Sequence, residues 1–266
     1  MIVKLEEPMI KDNDMHHAME SLDAGSAREL EDSLWWIQGR KSIIRRHLKK
    51  IESKPNKIDS IMDIGCGSGG NLEVLAEFGN VIGVEPSSIL AERSRARGIA
   101  SQVYELPVWQ LDETRSINLF TMFDVLEHIE DDEGFLTQLK QSASANHTLL
   151  LSVPACPYLF GEHDKLLSHH RRYSRKMLNE CLVKAGYKPV SIRYYMFFPF
   201  PFAVVFRLID KVKSRFGYRR KSVDLGTVPP LLNSVLTHAL NIESIVSEYV
   251  RFPTGLWLFA IAEPNQ

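Results

Sequence analysis

The residues best suited to chemistry begin with Asp63-Ile64-Gly65-Cys66-Gly67-Ser68-Gly69-Gly70, which follows an apolar run and precedes a helical pattern. Glycines at such a junction let the backbone turn tightly and bring main-chain atoms against a ligand. Glu85, with Pro86 beside it, ends the next apolar run, twenty-two residues after Asp63. A carboxylate at that position accepts both hydroxyls of an adenosine ribose. Strand, glycine loop, helix and spaced acid together predict a nucleoside-containing ligand.

Two such ligands fit the glycines. Gly65, Gly67 and Gly70 satisfy the spacing for a dinucleotide, and Gly65, Gly67 and Gly69 that for S-adenosylmethionine. Asp63 separates them, because a carboxylate there repels a pyrophosphate and attracts the ammonium of a methionine moiety.

The candidates for proton transfer are His128, His163 and His169, with Asp164 to orient one of them. An imidazole titrates in the range that a general base needs. His128 is expected to open the helix after the fourth strand. His163, Asp164 and His169 are expected on one loop over the carboxyl edge of the sheet, where such folds carry function. Arg171, Arg172 and Tyr173 suit a phosphate or carboxylate of a substrate. An arginine bridging across the loop while Tyr173 packs is the other reading. The one-loop spacing of His163, Asp164 and His169 is too unspecific to predict a metal, and none is expected.

The elements that must position these groups alternate. A helix over about Ser33 to Lys50 has Ile37, Ile44, Leu48 and Ile51 on one face. Strands are predicted at Ile58 to Ile64, Val81 to Val84, Leu119 to Phe123, Thr148 to Val153, Val190 to Tyr195 and Leu256 to Ala262. Helices are predicted around Leu72 to Ala76, Ile89 to Arg97, Gly134 to Ser144 and Met177 to Ala185. That order means an α/β fold, a Rossmann-like, doubly wound and mostly parallel sheet. Residues 1–54 form an arm and lid helix, 55–195 with 254–266 the core, and 196–253 a helical insertion. Trp35 and Trp36, adjacent on a helix, point about 100° apart and are not expected to face one cavity wall together.

The chain has 266 residues, 32 basic and 33 acidic, and a net charge of −1. No global basic field exists to hold nucleic acid, so that partner is not expected. Three cysteines form no framework, and the amino terminus reads as no signal peptide, so a cytoplasmic location is the default. The neutral total hides the stretch 196–221, which begins apolar and ends with Lys211, Lys213, Arg215, Arg219, Arg220 and Lys221. It is too short and interrupted to span a bilayer. Either it lies on an anionic membrane face, placing the chain at the inner membrane surface, or it packs as a substrate lid or homodimer contact.

Four ordered segments carry a resemblance: Leu34-Trp35-Trp36 with Arg40, the loop Asp63 to Gly70, Phe123-Asp124-Val125-Leu126-Glu127-His128-Ile129, and His163-Asp164 with His169 to Ser174. Pro253 to Leu258 adds a fifth. Together they resemble class I S-adenosylmethionine-dependent methyltransferases, in particular a bacterial branch with a Trp-Trp pair ahead of the glycine motif. The resemblance implies a seven-stranded sheet with an antiparallel last strand, a helical insertion before it, and S-adenosylmethionine as cofactor. It implies that Asp63, Gly65, Cys66, Gly67 and Gly69 wrap the methionine and ribose parts, and that Glu85 and Pro86 hold the ribose. Tyr104, Glu105 and Leu106 would border the adenine, and Phe123, Asp124, Trp36 and Arg40 the methionine end. The acceptor would be an oxygen of a small-molecule, sugar or lipid-linked substrate. The alternatives are an NAD(P)-dependent oxidoreductase and a non-catalytic S-adenosylmethionine-binding module.

Overall fold

A computed structural model describes residues 24–53, 58–215 and 228–265. Residues 1–23 of the expected arm, the break at 54–57 and the basic residues Arg219, Arg220 and Lys221 lie outside the described residues. Helix α1 (Ala24–Ser33) leads into α2 (Trp35–Glu52), which buries Ile37, Ile43, Ile44, Leu48 and Ile51. Then follow β1 (Ser60–Ile64), α3 (Leu72–Ala76), β2 (Asn80–Val84), α4 (Ser88–Ala96), β3 (Gln102–Tyr104) and β4 (Leu119–Phe123). The second half contains α5 (Asp132–Ser142), β5 (Thr148–Pro154), α6 (Glu162–Leu166), α7 (Arg175–Lys184), β6 (Tyr187–Tyr195), α8 (Phe200–Arg215), α9 (Pro230–Val246) and β7 (Trp257–Pro264).

The seven strands form one sheet in the order β3-β2-β1-β4-β5-β7-β6. The pairings β5–β7 and β7–β6 are antiparallel, and the others are parallel. Alternate residues of each strand feed opposite faces. Met62, Phe120, Met122, Leu149 and Leu151 pack with Leu136 and Leu139 of α5 and Leu178 and Leu182 of α7. Ile61, Leu119, Leu150, Phe259 and Ile261 pack on the other side with Ile44 and Leu48 of α2 and Leu75 of α3. The strand order reverses between β1 and β4, which opens a crevice above their carboxyl ends.

Local chemistry sets several boundaries. Ser87, Asp131 and Ser174 cap α4, α5 and α7 by accepting the amides of Leu90, Gly134 and Met177. The Asp131 cap corrects the expectation for His128. That residue ends a single 3-10 turn (Leu126–His128), and the helix starts only at Asp132. His163 and Asp164 likewise sit on the short helix α6 rather than on a loop. Strand β3 was not predicted, because only Val103 of its three residues is buried and no apolar run marks it.

The insertion is partly structural. Helix α9 runs along α2, where Trp35 N donates to Asn233 Oδ1 at 3.0 Å and Ser42 bonds Asn241 at 2.6 Å. Gly39 permits the contact, since a Cβ there would lie 2.3 Å from Leu240 Cδ1. Buried Glu243 of α9 accepts the amides of Phe197 and Phe198, both at 3.0 Å, and so fixes the chain entering α8. Among the described residues no helix is long and apolar enough to cross a membrane.

Candidate active site

A cavity of about 740 Å³ occupies the crevice. The glycine loop after β1 forms one wall, with Gly65, Cys66, Gly67, Ser68 and Gly70. Gly65 and Gly67 have φ of +71° and +56°, a left-handed backbone that side chains resist. Glu85, buried beneath the loop, accepts Gly67 N at 2.8 Å and Ser87 N at 2.9 Å. It therefore holds the loop and does not itself line the cavity. Asp63 also lies below the lining. Thr121 Oγ1 donates to its Oδ1 at 2.6 Å, while Oδ2 has no hydrogen-bond partner among the described residues. Burial pushes its carboxyl up to about 7, against the opposing pull of Thr121 and Arg40. Burial likewise raises the Cys66 thiol, so it is no nucleophile at neutral pH.

The amino-terminal end of α2 enters the cavity end-on. Leu34, Trp35, Trp36, Ile37 and Arg40 all border it, so both tryptophans reach the cavity, contrary to the expectation from helix geometry. Trp36 meets Trp257 edge to face at 6.3 Å, and the Arg40 guanidinium lies 5.4 Å from the Trp36 ring. Arg40 Nη1 donates to Asp124 Oδ2 at 2.8 Å. Asp124 has a φ of +56°, uncommon for a residue with a side chain, and Ser152 Oγ donates to its other oxygen at 3.1 Å. Backbone and side chain together hold Asp124 at the end of β4.

The histidines gather on the β4 and β5 side. His128, His163 and His169 all border the cavity, with Glu127 and Arg172. The His128 and His169 rings meet edge to face at 4.7 Å. Asp164, fully buried, accepts His169 Nδ1 at 3.1 Å and Arg172 Nε at 2.6 Å, and lies 3.6 Å from Arg207 of α8. Burial alone would raise its carboxyl, but the His169 bond and the two guanidinium groups hold it well below the usual range. Glu127 is the opposite case. Burial and the charge of Asp124 hold its carboxyl well above the usual range.

Several expected contacts are absent from the cavity. Tyr104 donates to Glu113 at 2.6 Å, Glu105 pairs with Arg95 at 2.6 Å, and Leu106 and Pro86 lie outside the lining. Arg171 pairs with Asp132 at 2.7 Å, and the buried Tyr173 donates to the same carboxylate at 2.6 Å. Asp132 at the start of α5 takes both polar groups, and neither residue borders the cavity. Arg172 alone of the three reaches the cavity. Conversely, sequence reasoning missed Glu31, Glu127, Phe202, Phe206 and Arg207, which all border it. Glu31 of α1 bonds Ser68 and Arg97 and straps α1 over the glycine loop. Phe202 and Phe206 of α8 line the cavity although 80% and 44% exposed, so its mouth is apolar.

A glycine loop at the switch point of this sheet, antiparallel in β7, defines a class I methyltransferase fold. Residues 36–192 match the methyltransferase domain family, and the chain belongs to it. A search of curated proteins finds no match. Solved structures share the fold. One is a chain of the complex between the Haloferax volcanii Trm112 methyltransferase activator and a methyltransferase, with 14% identity, 96% of this chain and 100% of that one, and a TM-score of 0.59. Another is a Thermotoga maritima S-adenosylmethionine-dependent methyltransferase, named as a candidate histamine N-methyltransferase, with 17% identity, 94% and 99% coverage, and a TM-score of 0.54. A third is a plantazolicin methyltransferase in complex with S-adenosylhomocysteine, with 11% identity, 95% of each chain, and a TM-score of 0.55.

S-adenosylmethionine is the cofactor that this family and fold take. The residues present fit it. A Cβ at Gly67 would meet nothing within 4 Å, which leaves open space against the loop. The orphaned Asp63 Oδ2 suits a positive group nearby.

Proposed function

We propose that the chain transfers a methyl group from S-adenosylmethionine to an oxygen of an acceptor that carries an apolar portion. The observation that carries this reading is one cavity bordered by the glycine loop, three histidines and the exposed apolar face of α8. The bound cofactor supplies a methyl group already activated by its sulfonium. In this reading Gly65, Gly67 and Ser68 hold it through the loop, with Glu85 fixing that loop from below. Asp63 provides negative charge under the methionine ammonium, and Arg40 and Asp124 shape the methionine end. Trp35 and Trp36 exclude water, and the imidazole cluster takes the hydroxyl proton from the acceptor.

Oxygen is favoured because an alcohol must lose its proton to become a good nucleophile, and three imidazoles border the space where it would sit. The apolar part is favoured by Phe202 and Phe206, which carry the cavity wall out to solvent. A lipid-linked acceptor at a membrane face would use the same mouth, with the exposed Val205, Leu208, Ile209 and Val212 of α8 against the lipid.

The test is calorimetric titration with S-adenosylhomocysteine and, separately, with a nicotinamide dinucleotide. It is followed by transfer of labelled methyl to hydroxylated amphiphiles. Tight S-adenosylhomocysteine binding and label in an ether or ester are expected. Binding of the dinucleotide alone would return the oxidoreductase reading. Cofactor binding without turnover across a panel of alcohols, amines and thiols would leave a binding module.

A further inference from the structure

Glu127 has no assigned task among the described residues. It is fully buried, it borders the cavity, and neither carboxylate oxygen has a hydrogen-bond partner among the described residues. A buried carboxyl left in that state is costly unless a cation or donor meets it. The nearby guanidinium groups are taken up elsewhere. Arg40 bonds Asp124, Arg172 bonds Asp164 and Ala155 O, and Arg207 lies against Asp164. Asp124, Asp164 and Arg172 act on Glu127 by charge alone, and two imidazoles stand beside it. Glu127, His128 and His169 offer one ligand atom each, all within 4.8 Å of one another.

We infer that Glu127, His128 and His169 bind a divalent transition-metal cation, with open coordination positions directed into the cavity. His169 Nε2 stands 3.9 Å from Glu127 Oε1. A tetrahedral cation bonded to both would set about 3.4 Å, so that pair closes by roughly half an ångström, and the His128 ligand atom, within 4.8 Å of the other two, must close on it as well. The tautomer is already arranged. His169 gives its Nδ1 proton to Asp164 at 3.1 Å, which leaves Nε2 as the lone-pair nitrogen facing Glu127. That carboxylate-histidine-metal relay is the usual outer support of a histidine ligand, which makes Asp164 a positioning residue. Two imidazoles and one carboxylate favour zinc, iron(II), cobalt or manganese over magnesium and calcium, which prefer oxygen ligands. Three protein ligands leave room for an outside ligand, the pattern of a catalytic rather than a structural site.

Its use rests on the proposed methyl transfer to oxygen. A cation there takes the acceptor's hydroxyl oxygen and favours loss of its proton. The O–H bond breaks, its electron pair stays on the oxygen, and the proton passes to His163, the remaining imidazole on the cavity wall.

The experiment is titration of the chelator-treated full chain with zinc chloride by calorimetry, and with manganese(II) followed by electron paramagnetic resonance. One equivalent per chain is expected. Affinity should fall at least about 100-fold in Glu127→Gln and in His169→Asn, and about tenfold or more in Asp164→Asn. Circular dichroism and thermal melting establish that each variant is folded, and His169→Asn serves if Glu127→Gln is not. No stoichiometric binding by the wild type overturns the site, as does equal affinity in the folded variants, which would mark surface histidines instead. S-adenosylhomocysteine affinity of the metal-free protein is measured in parallel. If it fails while metal binding holds, the methyl-transfer reading falls and the metal site stands. If it holds while metal binding fails, the reverse follows.

Discussion

Arg40 of α2 donates Nη1 to Oδ2 of Asp124 at 2.8 Å, tying α2 to the end of β4. The pair is only slightly exposed, and the guanidinium also lies near the rings of Trp36 and Trp257. One side chain thus joins α2, the left-handed backbone of Asp124 and the last strand.

Removing that link should act on the cofactor before it acts on the fold. Arg40→Met keeps the stem but loses the charge. We expect S-adenosylhomocysteine affinity to fall by about tenfold, or ~1.4 kcal/mol, with a melting shift of a few degrees. Calorimetric titration and scanning calorimetry measure the two. Unchanged affinity would assign the pair to helix anchoring alone.

The loop glycines should separate stability from binding. An alanine Cβ at Gly65 would lie 2.5 Å from Val125 Cγ2, in addition to the strain of φ +71°. At Gly67 it would meet nothing within 4 Å, so only the strain of about 1–2 kcal/mol remains. Gly65→Ala should therefore lower the melting temperature more than Gly67→Ala. Gly67→Ala should lose about tenfold in S-adenosylhomocysteine affinity, because its Cβ enters the cavity. Equal melting losses in the two variants would sink this assignment.

Asp63 predicts a pH signature. Its carboxyl is raised by burial to about 7, above its ordinary value of 3.8. Between those two values the folded chain binds a proton that the unfolded chain does not, so this group's contribution to stability falls as pH rises through that window. Asp63→Asn should flatten that slope in urea denaturation series. Binding of a cationic methionine end should expel the Asp63 proton. S-adenosylmethionine binding near pH 6 should then release protons, read from the dependence of calorimetric heat on buffer ionisation.

Tyr173→Phe should cost stability without costing catalysis. The hydroxyl is buried and donates to Asp132 at 2.6 Å, but Arg171 still pairs with that carboxylate. A loss of about 1–2 kcal/mol is expected, with kcat/KM unchanged. A raised KM would restore the substrate role that the motif suggested.

Much of the sheet was legible because its signals are local. The runs at Leu119 to Phe123 and Thr148 to Val153 became β4 and β5 nearly residue for residue, since continuous apolar strands buried on both faces have few other homes. Strand β3 was invisible because it borrows its pairing from β2 and buries one side chain. His128 was misplaced onto a helix because the competing cap, Asp131, lies three residues further on.

The glycine loop, the spaced Glu85 and the ordered motifs determined the fold class and the cofactor from the sequence alone. Those depend on backbone geometry over short chain separations. What lies around the acceptor depended on tertiary structure. Asp164 of α6 draws His169 and Arg172 from the segment after that helix and Arg207 from α8, and only packing decides which charges meet in a low dielectric. The same packing withdrew Arg171 and Tyr173 to Asp132, left the Glu127 oxygens without a hydrogen-bond partner among the described residues, and turned Arg207 toward Asp164 from a stretch that reads as a membrane face, lid or dimer contact. Sequence spacing specifies which groups are present, whereas burial and the neutralisation of each charge decide which remain available to a substrate.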